Sequence, residues 1–200
     1  MREWQQEEFG VPHYWTMVAR AHILLYRGEP ALAWDGFMRD WPGLASSGLW
    51  RVQGVRISMG DLRARCALAA AAGGADRAPL LAVAERAVGR LERERLAWAD
   101  ALALLLRAGL SAARGEVADV PPLLERATAA FDAAQMAVHA HVVRRRLGER
   151  LTGDEGRSLV HTADAWMHSQ GIRNPARYAE VLAPNLAPWE TPSAVKESPD

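Results

Sequence analysis

The chain is predicted to be all-α, built of antiparallel helical hairpins packed side by side. Three observations carry this. Alanine supplies 38 of the 200 residues, and it is the strongest helix former because it loses no side-chain entropy on ordering. Isoleucine and threonine are scarce, and no stretch alternates apolar and polar residues over six positions, so strand signals are nearly absent. Glycine and proline punctuate the chain at helix-length intervals.

The elements follow in order. A first helix spans about 12–27 and stops at Gly28, which suits a left-handed cap. Pro30 opens a second helix, which carries Leu32, Ala33, Trp34 and Phe37 and is expected to end near Trp41-Pro42-Gly43. A longer helix over about 49–72 places Val52, Val55, Met59, Leu62, Cys66 and Ala69 on one stripe before Gly73-Gly74. Helices over about 76–91 and 96–114 turn Leu81, Ala84, Val88 and Leu91, then Leu102, Leu105, Gly109 and Ala112, inward, and Gly115 ends the second of them. Pro121-Pro122 opens the next, with Leu124, Ala127 and Phe131 inward. Helices over about 137–151 and 154–170 join through Thr152-Gly153, and Asn174-Pro175 caps a short last helix. From Pro184 onward four prolines make a frayed tail the expectation.

The first helices of successive pairs begin near residues 12, 49, 97 and 137, roughly 40 residues apart, the spacing of stacked hairpin arrays. Each hairpin has apolar residues on more than one face and must pack on neighbours. Gly28, Ala33 and Phe37 stand where the tetratricopeptide pattern places its joining glycine, small packing residue and bulky anchor, and Arg114-Gly115-Glu116 echoes Arg27-Gly28-Glu29. Val120 and Leu124 depart from that pattern, so the expectation is a tetratricopeptide-like α-solenoid without a strict repeat. The domain reading is an N-terminal segment at 1–11, the helical-repeat domain at 12–183, and a disordered tail at 184–200.

Composition excludes several chemistries. The only lysine among 24 basic residues is Lys196, in the tail, leaving none for a phosphate loop, a kinase site or a Schiff base. The formal net charge is zero, so no global field steers the chain to nucleic acid or anionic lipid. The one cysteine, Cys66, sits in an apolar helical stretch and reads as a buried structural thiol. The N-terminus is polar and acidic, unlike a signal peptide, and no run of 18 apolar residues exists, so a cytoplasmic protein without membrane contact is expected. Neither a nucleophile elbow nor a Cys/His pair occurs, and the expectation is no catalytic residue, no cofactor and no metal. His139 and His141 point to different helix faces, while His161 and His168 lie seven apart without a third ligand.

Five of the eight tryptophans fall in the first quarter of the chain, among them Trp15, Trp34, Trp41 and Trp50. Burying such a ring removes about 150–250 Å² from water, worth roughly 4–6 kcal/mol, so joining the first hairpin to the second is their first expected role. An aromatic patch for a protein partner is the alternative, which makes Trp34, Trp41 and Trp50 the candidate partner-binding residues. Arg144-Arg145-Arg146 is the densest basic run, but consecutive helical residues diverge by about 100° each, and Glu149, Asp154 and Glu155 stand near enough to neutralise it. A solvated, salt-bridged face is expected there. Residues 167–172 before Asn174-Pro175 look like the turn of a helix-turn-helix, but Arg177 and Glu180 would fall where packing residues are required. No nucleic-acid partner is expected.

Residues 144–149, then 153–157, 163–167 and 170–177 with Leu182-Ala183-Pro184, together with His13-Tyr14-Trp15, 25–28 and 98–107, resemble the C-terminal region of large bacterial, myxobacterial-type multidomain serine/threonine protein kinases. These carry a kinase domain, a signal-transduction ATPase module and a tetratricopeptide-like region. The chain departs from that pattern at Arg95, where a helix-breaking glycine is expected, and at Tyr178, where methionine is. No kinase or ATPase motif lies in this chain. The resemblance implies a non-catalytic docking or regulatory module of a signalling system, with a protein or peptide partner, a signalling kinase among the candidates. Its own starting methionine reads as a detached gene product. A small-molecule-sensing regulatory domain is the alternative, and the oligomeric state is left open.

Overall fold

The structure, a computed structural model, describes residues 9–74 and 76–186. The described residues form α1 (Val11–Arg27), α2 (Pro30–Ser46), α3 (Gln53–Ala72), α4 (Arg77–Arg93), α5 (Ala97–Arg114), α6 (Val120–Ala133), α7 (Ala137–Gly148), α8 (Gly153–Ser169) and α9 (Pro175–Leu182), with no strand among them. The all-α class is therefore as predicted.

The two Arg-Gly-Glu triplets become the same backbone device. Gly28 (φ 77°) and Gly115 (φ 80°) take the left-handed conformation. Glu29 N–H then reaches Leu24 O and Glu116 N–H reaches Ser111 O, both at 2.9 Å, which satisfies carbonyls at the helix ends. Arg95 makes the α4–α5 turn with φ 53°, a region that costs a residue with a Cβ roughly 1 kcal/mol. Asn174 caps α9 as expected, its side chain accepting from Arg177 N–H at 3.0 Å.

Several boundaries differ from the prediction. Helix α2 runs through Pro42 to Ser46. Proline removes a single donor there, while the Ser46 hydroxyl donates to Pro42 O at 3.0 Å and Leu44 is fully buried. The helix expected from Leu49 instead starts as a 3-10 turn, Gly48–Arg51, and extended Val52 separates it from α3. Val52 is consequently exposed, whereas Met59, Leu62 and Cys66 are buried as anticipated. Helix α7 stops at Gly148, before Leu151. It crosses α8 closely there: a Cβ on Gly148 would lie 2.8 Å from Gly156 O.

Each helix from α1 to α8 packs on its sequence neighbours, α3 also touches α1 and α5, and α9 lies against α1, α7 and α8. One apolar core gathers Phe37, Leu44, Met59 and Leu62 near the N-terminal end, and a larger one gathers Leu68, Leu105, Leu124, Phe131 and Met167. Helix α9 joins the two, because Val181 sits in the first core and Ala179 and Leu182 in the second. Buried Arg65 of α3 fastens it, donating from Nε to Asp61 at 2.8 Å and from Nη1 to the Val181 carbonyl at 2.9 Å. The tail expected from Pro184 begins later than predicted. Pro184 and Leu186 are buried and the Asn185 amide donates to Leu68 O at 2.7 Å. The rest of that tail, with Trp189 and Lys196, lies outside the described residues, as do residues 1–8.

Candidate functional site

Helix α4 presents Val83, Arg86, Arg90 and Arg93 along one face, at steps of three and four residues, and α3 presents Arg56, Gly60 and Arg63 along another. The two stripes converge on a cleft of about 470 Å³, closed at one side by Trp41 of α2 and Trp50 of the 3-10 turn. Gly60 leaves its floor open, since a Cβ there would meet nothing within 4 Å.

The two rings brace each other and the core. Trp50 meets Trp41 edge to face at 5.1 Å, and Trp41 stacks on buried Phe37 at 5.8 Å. Both remain half-buried, so they knit α2 to α3 and also wall the cleft. The Arg63 guanidinium carbon lies 4.3 Å from the centre of the Trp41 ring, a cation–π contact. Among the described residues the Arg63 Nε, like that of Arg146, is buried with no hydrogen-bond partner. Burial, and then the charges of Arg90 and Arg86, push the Arg63 pKa down from its ordinary value.

The cleft lining contains five arginines, 56, 63, 86, 90 and 93, and a single carboxylate, Glu94, a formal charge of +4. That carboxylate is engaged: Arg56 donates to it from Nε at 2.8 Å and from Nη2 at 2.9 Å, and these bonds hold Glu94 below the usual carboxylate range. No salt bridge of Arg63, Arg86, Arg90 or Arg93 occurs among the described residues. An uncompensated cluster of this kind favours an anion.

Of the candidate residues from the sequence, Trp41 and Trp50 come together and Trp34 does not. Trp34 packs over Leu80, Ala67 and Ala70, in a separate depression beyond Val83 and Arg86. Trp15 is exposed, edge-on to Tyr14 at 5.0 Å. The cleft arginines escaped the sequence reading, which dwelt on Arg144–Arg146 instead. That run is salt-bridged, but of its three side chains only Arg144 keeps appreciable exposure. Arg145 and Arg146 are only 8% and 2% exposed. Arg145 pairs with Glu149 and with Asp164, Arg146 with Glu149 at 2.8 Å, and Arg144 with Asp132. Asp154 turns to Arg157 instead.

His139, His141 and Cys66 pack into the helical stack, the His141 Nδ1 without a hydrogen-bond partner among the described residues. His139 stacks on Phe131 at 5.1 Å, and burial lowers its pKa to about 4. His141 stacks on Trp166 at 4.1 Å. Cys66 is buried, which pushes its thiol up to about 12. Among the described residues no three His, Cys, Asp or Glu side chains gather closely enough to hold a metal ion, and no helix is long and apolar enough to cross a membrane. Compared with protein-family models, curated proteins and solved structures, the chain matches none of them.

Proposed function

We propose that the chain is a non-catalytic docking module, its hairpins stacked as a tetratricopeptide-like solenoid, which receives an acidic segment of a protein partner in the Trp41–Trp50 arginine cleft. One observation carries the reading: four arginines that make no salt bridge among the described residues share a recess with two half-buried indoles. Tryptophan and arginine dominate binding hot spots because they bring large contact area and directed donors at low entropic cost. The spacing of the helix pairs and the two equivalent Arg-Gly-Glu caps support the solenoid arrangement. The kinase-family resemblance makes a signalling protein the natural partner. Titration of the full chain with a synthetic glutamate-rich peptide, followed by tryptophan fluorescence, tests this. Saturable binding is expected, and it should vanish in Arg63→Ala/Arg90→Ala with helicity unchanged. Absence of saturable binding to the unaltered chain refutes an acidic segment as the occupant.

A second reading, sensing of a small anionic metabolite, is favoured by the cleft's volume of about 470 Å³, within the range of small-molecule sites. Thermal stabilisation by such a metabolite, with no response to peptides, would select it.

A further inference from the structure

The cleft holds more positive charge than carboxylates of a flexible acidic peptide are suited to meet. Each glutamate brings one negative charge and two acceptor oxygens, whereas the recess offers the forks of Arg63, Arg86, Arg90 and Arg93 around one open floor at Gly60. The Arg63 guanidinium carbon lies 4.3 Å from the centre of the Trp41 ring, so this cation is already placed beside the indole before any ligand arrives. Arg86 and Arg90 stand near enough to repel it. Guanidinium groups gathered in one recess without an acid partner are best met by a group that is compact, doubly charged and rich in acceptors.

We infer that Arg63, Arg86 and Arg90 form a seat for a phosphoryl group, and that the protein segment received by the cleft is phosphorylated. This rests on the docking reading above and names what that site recognises. Arg56 is committed to Glu94 and walls the seat without joining it. Arg93, one turn beyond Arg90 on the same face, extends positive charge toward the flanking residues of the segment. The recess is short and bounded by the indoles, and the groove on the other side of α4 carries three carboxylates against three arginines. Charge therefore does not continue across the surface as a nucleic-acid backbone would need.

The test uses the full chain and one degenerate fluorescent peptide pool made in three forms, with phosphoserine, glutamate or serine at its centre. Fluorescence polarisation should show the phosphoserine pool binding at least about tenfold more tightly than the glutamate pool, since a dianion with three oxygens engages more than one guanidinium. Pyrophosphate should compete. Arg63→Lys keeps the charge but loses the planar fork, and should weaken phosphopeptide binding about tenfold, while Arg107→Ala, in the other groove, should leave it unchanged. Equal binding of the phosphoserine and glutamate pools overturns the phosphoryl seat and leaves acidic docking standing. Binding of pyrophosphate or nucleotides with no response to any peptide overturns the phosphorylated segment and the docking reading together. Binding to none of the probes sinks both. An unchanged affinity in folded Arg63→Lys also overturns the assignment of the seat.

Discussion

Helix α4 separates two grooves with opposite electrostatic solutions. On one side lies the indole-walled cleft, with five arginines against one glutamate. On the other, Glu85 and Glu92 of α4 reach Arg114 and Arg107 of α5 at 2.9 and 2.6 Å, and Asp119 and Arg126 complete a lining of three acids and three bases. Both grooves are made by a hairpin and the helix beside it, so helix packing does not explain the difference. It arises from residue choice on one helix: α4 places glutamates at 85 and 92 toward α5 and arginines at 86, 90 and 93 toward α3. Exposed ion pairs of the balanced kind contribute little, typically below about 1 kcal/mol, but they leave nothing for a ligand to satisfy. The unbalanced side gives up that pairing and keeps its donors available.

Three perturbations would break or sharpen this contrast. The largest effect should come from neither groove. Burial holds His139 neutral, and burial with the nearby Arg65 charge also lowers His22. The folded pKa of His139, about 4, lies below the unfolded value near 6.5. Unfolded chains therefore bind more protons between those limits, and stability, full above about pH 6.5, should fall by roughly 3 kcal/mol as pH drops toward 4. Urea titrations across that window should show this, and His139→Gln should flatten the slope. Anion binding by the guanidinium groups should follow only the ligand's own ionisation, because arginine stays charged throughout. Next, Gly60→Glu would place a carboxylate on the open floor between Arg56 and Arg63. Pyrophosphate affinity should drop about tenfold or more, while stability rises by about 1 kcal/mol from helix propensity and relieved repulsion. A stable variant that binds as well as the parent would show that anions bind elsewhere. The smallest change should follow Glu85→Gln/Glu92→Gln, which frees Arg107 and Arg114. Weak pyrophosphate binding, a few-fold above background in salt-sensitive titration, should appear in the formerly balanced groove.

How far these features could be read from the chain varies with their range. Helix positions were legible because caps and apolar stripes are local: Gly28, Gly115 and Asn174 do what their residue types dictate. Trp41 and Trp50 stood out by chemistry alone. The arginine stripes were legible in principle, since 56, 60 and 63 share a helix face, as do 86, 90 and 93. Arg63, Arg86 and Arg93 also lack an acid three or four positions away. Attention to the consecutive run at 144–146 hid this, and that run is neutralised by Glu149, Asp132 and Asp164. Continuation of α2 past Pro42 was not legible, because burial of Leu44 outweighs one missing donor. Nor was the docking of α9, which depends on a hydrogen bond between residues 65 and 181.

That docking bears on how the molecule comes apart. Linear arrays, in which each unit leans only on the next, can peel from either end. Here α9 packs on both α1 and α7, its Val181 sharing the first core while Arg65 of α3 holds the Val181 carbonyl. Fraying at one terminus would have to release the other, so thermal denaturation should proceed as a single concerted loss, and clipping the chain ahead of Pro175 should loosen helices far away in sequence.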